Sequence, residues 1–174
     1  MRNLCYNVAA SLDGFIAGPN GEYDWIIMDA SIDFAALFKR FDTAVMGRKS
    51  FEAALTHGHD GTMPGLDVIV FSKTLRQADH PKVKVIGDDA ATIVTALKKK
   101  SGKDIWLFGG GAIFRSLLDA NLVDSIEIGL MPIVLGDGIP LVTSGGRSRP
   151  FQLAECKALP SGIVMLRYDL SRAS

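Results

Sequence analysis

Apolar residues in this chain follow two rhythms. Short runs dense in β-branched and aromatic residues alternate with stretches whose apolar positions recur every three or four residues, the pattern of helices that cross between mostly parallel strands. Strands are predicted over residues 4–10, 43–46, 67–71, 82–86, 104–108, 125–131, 151–158 and 163–170, and helices over 31–41, 49–55, 88–100 and 112–120. Ser31 is placed to cap the first helix, whose Phe34, Leu37, Phe38 and Phe41 share one face. Asp88 or Asp89 caps the third, Lys98 to Lys100 suit its negative C-terminal end, and Gly102 stops it. Pro160, Ser161 and Gly162 join the last two strands into a closing hairpin. Residues 11–30, with Gly14, Gly18, Pro19 and Gly21, form a loop long enough to be functional, and residues 132–150 are glycine-rich. With no repeat or linker, the pattern predicts a layered α/β fold in one domain over residues 1–174.

Charge balance removes whole classes of partner. Lysine plus arginine equals aspartate plus glutamate at 19 each, so no overall field draws the chain to nucleic acid or an anionic membrane. An anion would have to be held by a local site. Apolar residues at 48% and charged residues at 22% fit a soluble globular protein. Cys5 and Cys156 are too few for a disulfide scaffold or a four-ligand zinc site, and their strand-like apolar surroundings mark them as reduced core thiols. No segment approaches the ~20 apolar residues that span a bilayer, and the start MRNLCYNVAASLDG lacks the apolar run of a signal peptide. The expected location is cytoplasmic. His57, His59 and Asp60 sit in a glycine-bearing loop with no distant partner and read as solvated, so no metal site is expected.

Candidate chemistry gathers at strand ends. In DIWLFGGGAIFRSLLDA a buried strand empties through Gly109, Gly110 and Gly111 into a helix. Missing side chains allow a ligand close to the backbone, and free N–H groups at a helix start favour a pyrophosphate. The bland alternative is a tight turn needing positive φ. The segment is neither a Rossmann fingerprint, because Phe114 stands where a third small residue belongs, nor a P-loop. MGRKSFE is a second such turn: after Gly47, Arg48 and Lys49 offer charged donors to a phosphate, while Ser50 and the helix start can hold another. VIVFSKT ends a third strand on Ser72, Lys73 and Thr74. Three such ends in one α/β sheet would form the crevice where ligands bind. Asp33 admits two readings, a carboxylate facing an apolar pocket that serves a ring nitrogen, or a group that merely favours a helix N-terminus.

In this order, SLDGFIAG, DWIIMDASIDFAALFKRF, MGRKSFE, VIVFSKT, DIWLFGGGAIF and MPIVLGDGIPL resemble the dihydrofolate reductase superfamily, in particular its branch of riboflavin-biosynthesis reductase domains and related stand-alone proteins. The likeness spans nearly the whole chain. It implies a three-layer fold with a mixed, mostly parallel eight-stranded sheet, helices on both faces and a C-terminal antiparallel hairpin, with NADPH lying across it. It further implies that Gly109, Gly110, Gly111, Ala112, Ile113 and Phe114 line the pyrophosphate and nicotinamide side, and that Arg48, Ser72 and Lys73 lie near the adenosine phosphate. By the same resemblance Ala10, Ile16 and Trp25 flank nicotinamide and substrate, Asp33 matches the acidic residue that serves the pterin ring, and a homodimer is expected.

Three departures bear on substrate. Leu66 follows Pro64 and Gly65 where folate reductases carry an arginine for the glutamate tail; the arginine-bearing loop of riboflavin-pathway reductases has no counterpart before Leu66; and Ala112 replaces a basic residue of the folate branch. The resemblance therefore implies hydride transfer from NADPH to a pterin-like or ribosylaminopyrimidine-like small-molecule heterocycle, of the 5-amino-6-(5-phosphoribosylamino)uracil reductase type, with Asp33 aiding protonation and Trp25 closing the loop. A true dihydrofolate reductase and a non-catalytic nucleotide-binding protein remain the alternatives.

Overall fold

The apolar runs become one sheet in a computed structural model that describes residues 1–171; the last three residues of the domain expected over 1–174 lie outside the described residues. The strands of the main sheet are β1 (Leu4–Ala10), β3 (Phe41–Gly47), β4 (Asp67–Phe71), β5 (Lys84–Ile86), β6 (Asp104–Gly109), β7 (Ser125–Leu130), β9 (Phe151–Ala158) and β10 (Val164–Leu170). Their order is β5-β4-β3-β6-β1-β7-β10-β9. Every neighbouring pair is parallel except the two that involve β10. The chain therefore forms the mostly parallel eight-stranded sheet with a terminal hairpin. A second, two-stranded sheet pairs β2 (Phe15–Ala17) with β8 (Ile139–Pro140), both inside segments expected to be loops.

Four helices cover the sheet: α1 (Phe34–Lys39), α2 (Arg48–Thr56), α3 (Ala90–Lys99) and α4 (Gly111–Asp119). Alternate strand residues bury on opposite sides, so a central parallel strand must be apolar on both. Leu4, Tyr6, Ile105 and Leu107 pack with Val94 of α3 and with Phe114 and Leu117 of α4. On the other face Cys5, Ala44, Met46 and Trp106 pack with Phe51 of α2, and with Leu37 and Phe38 of α1. A third cluster, Met131, Leu159 and Ile163, collects Trp25, Ile26 and Ile32 from the long loop.

Several boundaries move for local reasons. Ser31 does not cap α1, because its hydroxyl donates to Asp29 Oδ1 (2.6 Å); Asp33 takes the cap, its Oδ1 accepting from Ala36 N at 2.8 Å. Phe41 leaves the helix and opens β3, where it pairs with Asp104 and is buried. Asp89 rather than Asp88 caps α3, accepting from Thr92 N at 2.9 Å. The strand expected from residue 82 starts at Lys84, after a turn in which Val83 N donates to His80 O. Cys156 is exposed, contrary to expectation, because β9 is an edge strand. Cys5 is buried, and loss of water pushes its thiol up to about 12, reinforced by the charge of Glu127.

Phe114 stacks on Tyr6 with ring centroids 4.1 Å apart, in the middle of the α3–α4 face. Phe114→Ala is expected to cost about 3–5 kcal/mol of stability through the cavity it leaves; urea unfolding followed by far-UV circular dichroism measures it.

Candidate active site

Because β1, β3, β4, β6 and β7 run parallel, their C-terminal ends lie on one edge of the sheet. Gly47 pairs with Phe71, and Met46 with Gly109, so the three turns picked out in the sequence emerge side by side. A Cβ at Gly110 would sit 3.2 Å from Ser50 Oγ and 3.9 Å from Ile16 Cδ1; one at Gly47 would sit 3.7 Å from Ile113 Cγ2 and 4.0 Å from Gly109 O. Ile16, Gly47, Ser50, Gly109, Gly110 and Ile113 thus form one cradle.

The helix starts there differ from the others. α1 and α3 are capped by Asp33 and Asp89, whereas α2 and α4 start after Gly47 and Gly110 with no side-chain cap. The first N–H groups of a helix lack intrahelical partners and carry partial positive charge. Two nine-residue helices therefore direct uncapped N–H groups at one edge.

Other expected site residues have protein roles. A Cβ at Gly111 would meet Pro140 O at 2.6 Å, so this glycine admits the close approach of β8. Phe114, expected beside a cofactor, is buried in the core with its N–H bonded to Gly110 O. Ser72 Oγ accepts from Thr74 N (3.1 Å) and Leu75 N (3.0 Å), closing the turn after β4. Arg48 pairs with Glu52 one helical turn on (3.0 Å). Lys49, Lys73 and Ala112 are exposed. Ala10 is buried, its carbonyl taken by Met131 N. Trp25 donates from Nε1 to Glu22 O (3.0 Å) and packs into the third cluster. Asp33 is exposed, between Ile32 of that cluster and Leu37 of the second.

The parting of two central strands, with Phe108 exposed beside it, defines the groove of the candidate site. β1 pairs with β6 only through Tyr6–Leu107, whereas it follows β7 as far as Ala10–Leu130. Beyond Leu107 the β3–β6 register slips by one, a bulge at Phe108, and Phe108 is left 37% exposed on a central strand. Trp106 Nε1 donates to Asn7 O (2.9 Å), one residue past the last β1–β6 pair. Beside it Asn7 Nδ2 donates to Glu127 Oε2 (2.7 Å), and Arg40 forks onto both carboxylate oxygens (2.8 and 2.6 Å). Glu127 is only 8% exposed. Burial alone would raise its pKa, but the Arg40 guanidinium and the Asn7 amide hold it below the usual carboxylate value. Neither Asn7 nor Glu127 was expected in the site. Their signal was available: one polar residue inside LCYNVAA and one charge inside SIEIGLM.

A family model, the RibD C-terminal domain, matches residues 2–165. The chain belongs to this family. A Bacillus subtilis (strain 168) protein of uncharacterised function, YyaP, is 33% identical over 96% of the chain and 94% of its own length. A Shewanella sp. PV-4 crystal structure ascribed to riboflavin biosynthesis superposes with a TM-score of 0.82 at 29% identity, covering 99% of this chain and all of that one. The Enterococcus faecalis dihydrofolate reductase, complexed with NADP(H), superposes at 0.72 and 17% identity over 98% and 97% of the two chains, a likeness of fold.

In this RibD C-terminal domain, SLDGFIAG and MPIVLGDGIPL are two halves of one clasp over the sheet edge. Asp13 Oδ1 accepts from Leu135 N (3.1 Å) and Oδ2 from Gly136 N (2.7 Å), while Leu12 N donates to Ile133 O and Leu141 N to Gly14 O (both 2.8 Å). Tyr6 OH fixes the far end through Leu141 O (2.9 Å). The Ser11 hydroxyl and the two amides lower the Asp13 pKa to about 2. A depressed folded pKa contributes stability above the unfolded value and loses it as pH falls through the folded one. Hydrogen exchange should therefore show the Leu135 and Gly136 amides protected down to pH ~3. Asp13→Ala should abolish that protection at every pH while leaving β4 amides unchanged.

Proposed function

We propose that the chain is an NADPH-dependent reductase acting on a pterin-like or ribosylaminopyrimidine-like heterocycle. The observation that carries this is the pair of uncapped helices, α2 and α4, opening onto one glycine-walled edge where Ser50 Oγ faces Gly110. A dinucleotide pyrophosphate fits such a cradle: its charge suits the N–H groups, and the missing side chains leave room for it. Membership of the RibD C-terminal domain family and the fold shared with an NADP(H)-bound reductase support the same reading.

Bound nicotinamide would supply the hydride; this chain binds, orients and excludes water. Residues 48–50 and 111–113 offer N–H donors to the phosphates, although Gly111 itself is walled in by Pro140. Arg48 and Lys73 supply exposed cations on the β3–β4 side, Arg48 exchanging Glu52 for a phosphate. Ile16 and Ile113 furnish apolar walls, and Ala10 contributes backbone rather than side chain. The ring substrate occupies the groove over Phe108, between Trp25 and α1. Asp33 spends Oδ1 on the helix cap, and Oδ2 is the oxygen left to serve ring protonation.

Fluorescence titration should show saturable NADPH binding between micromolar and millimolar concentrations; no saturation would refute the reading. Arg48→Ala is expected to weaken NADPH about tenfold and NADH little, because one charged hydrogen bond to a phosphate is lost. Gly110→Ala, whose methyl enters the cradle beside Ser50, should weaken both cofactors alike.

A further inference from the structure

The groove contains a polar device that the reductase reading does not use. Asn7 and Glu127 face each other in register on adjacent parallel strands, on the face that also carries Cys5 and Trp106. A carboxylate clamped by an arginine can only accept, so the group Asn7 turns toward it must be the NH2 of its amide. That is the contact seen, Nδ2 to Oε2 at 2.7 Å. The other oxygen cannot rotate the clamp away, since Arg40 holds Oε1 and Oε2 together through two separate nitrogens. The amide orientation of Asn7 is thereby decided by Arg40, which comes from the C-terminal end of α1.

The consequence falls on Asn7 Oδ1. Among the described residues nothing donates to it, and Asn7 is half-buried rather than immersed in solvent. Trp106, whose indole donates to the Asn7 carbonyl, lies 5.3 Å from Phe38 and 5.6 Å from the partly exposed Phe108 between ring centroids. A fixed acceptor on the strand next to an exposed aromatic ring is a recognition element for a planar ring that carries an N–H. Leaving such an acceptor against an apolar edge costs the desolvation of an unpaired polar group, so rings without a donor are penalised.

The geometry points to Asn7 as a specificity-determining residue: Glu127, clamped by Arg40, turns the carboxamide so that Oδ1 offers the groove an acceptor, and rings presenting an N–H donor are selected. Glu127 and Arg40 are positioning residues that act through Asn7. The inference rests on the reading that a heterocycle occupies this groove, and it assigns recognition of that ring's N–H to Asn7.

A matched pair of rings tests it: 2,4-diaminopyrimidine and 2,4-dimethylpyrimidine have nearly the same shape, and only the first carries N–H donors. Calorimetric titration of the full chain, with and without NADPH, should show a preference for the diamino ring of about tenfold. Asn7→Ala should remove that preference. Glu127→Gln should remove it too, because a glutamine amide held by Arg40 can donate to Asn7 Oδ1 and turn the acceptor inward. A purely structural tie would lower the melting temperature of both variants and leave the ratio intact. Should Glu127→Gln fail to fold, Asn7→Ala carries the test. Equal binding of the two rings by the unaltered chain, an undiminished preference in Asn7→Ala, or NADPH binding with neither ring bound would each overturn the inference. A preference that holds while NADPH does not bind would instead retain Asn7 and refute the reductase reading.

Discussion

The parting of β1 from β6 beyond Tyr6–Leu107 is the constraint on which the site depends. Neighbouring parallel strands normally pair along their length, because an unmade ladder bond in a sheet interior leaves backbone groups without partners. Here β6 stays with β3 up to Gly109 while β1 stays with β7 up to Ala10, so the sheet divides near its middle. The bulge at Phe108 absorbs the divergence, and the Trp106 indole takes the carbonyl of Asn7. An uncovered aromatic ring on a central strand results. The helix α1 packs with the second apolar cluster and the loop bearing Trp25 with the third, and Phe108 belongs to neither.

Polar satisfaction elsewhere sharpens what is left open. The chain caps α1 and α3 with aspartates, closes the β4 turn with Ser72, and holds the Asp13 carboxylate on two loop amides. Against that background the uncapped starts of α2 and α4 stand apart, and both lie on the divided edge. The clasp of residues 11–17 against 133–141 holds the wall of this region in place, with Gly111 letting the clasp approach the first turn of α4. Side chains are thus absent at Gly110, where a Cβ would crowd Ser50, at Gly47, where it would touch Ile113, and at Gly111, where the chain itself fills the space.

Glu127 is buried while the Arg40 side chain stays 41% exposed, so the carboxylate bears most of the desolvation, which the bonds from Arg40 and Asn7 offset. What the charged pair adds is direction, because it fixes an otherwise two-way amide beside the groove. The same charge helps keep the buried Cys5 thiol protonated and inert.

Periodicity and the order of motifs sufficed to determine the layered α/β class, the strand ends that carry glycines and cations, and the terminal hairpin, because these follow from local spacing and from turn chemistry near in the chain. Local spacing even set both possible roles of Asp33 side by side. Only the tertiary structure gave Asp33 the cap, by taking the Ser31 hydroxyl for Asp29 and engaging one of the two Asp33 oxygens. It likewise placed Phe114 in the core, exposed Cys156 on an edge, and joined Asn7, Arg40 and Glu127 from three distant segments. Those outcomes depend on strand order and on where two strands separate, and neither is written in the spacing of any one segment.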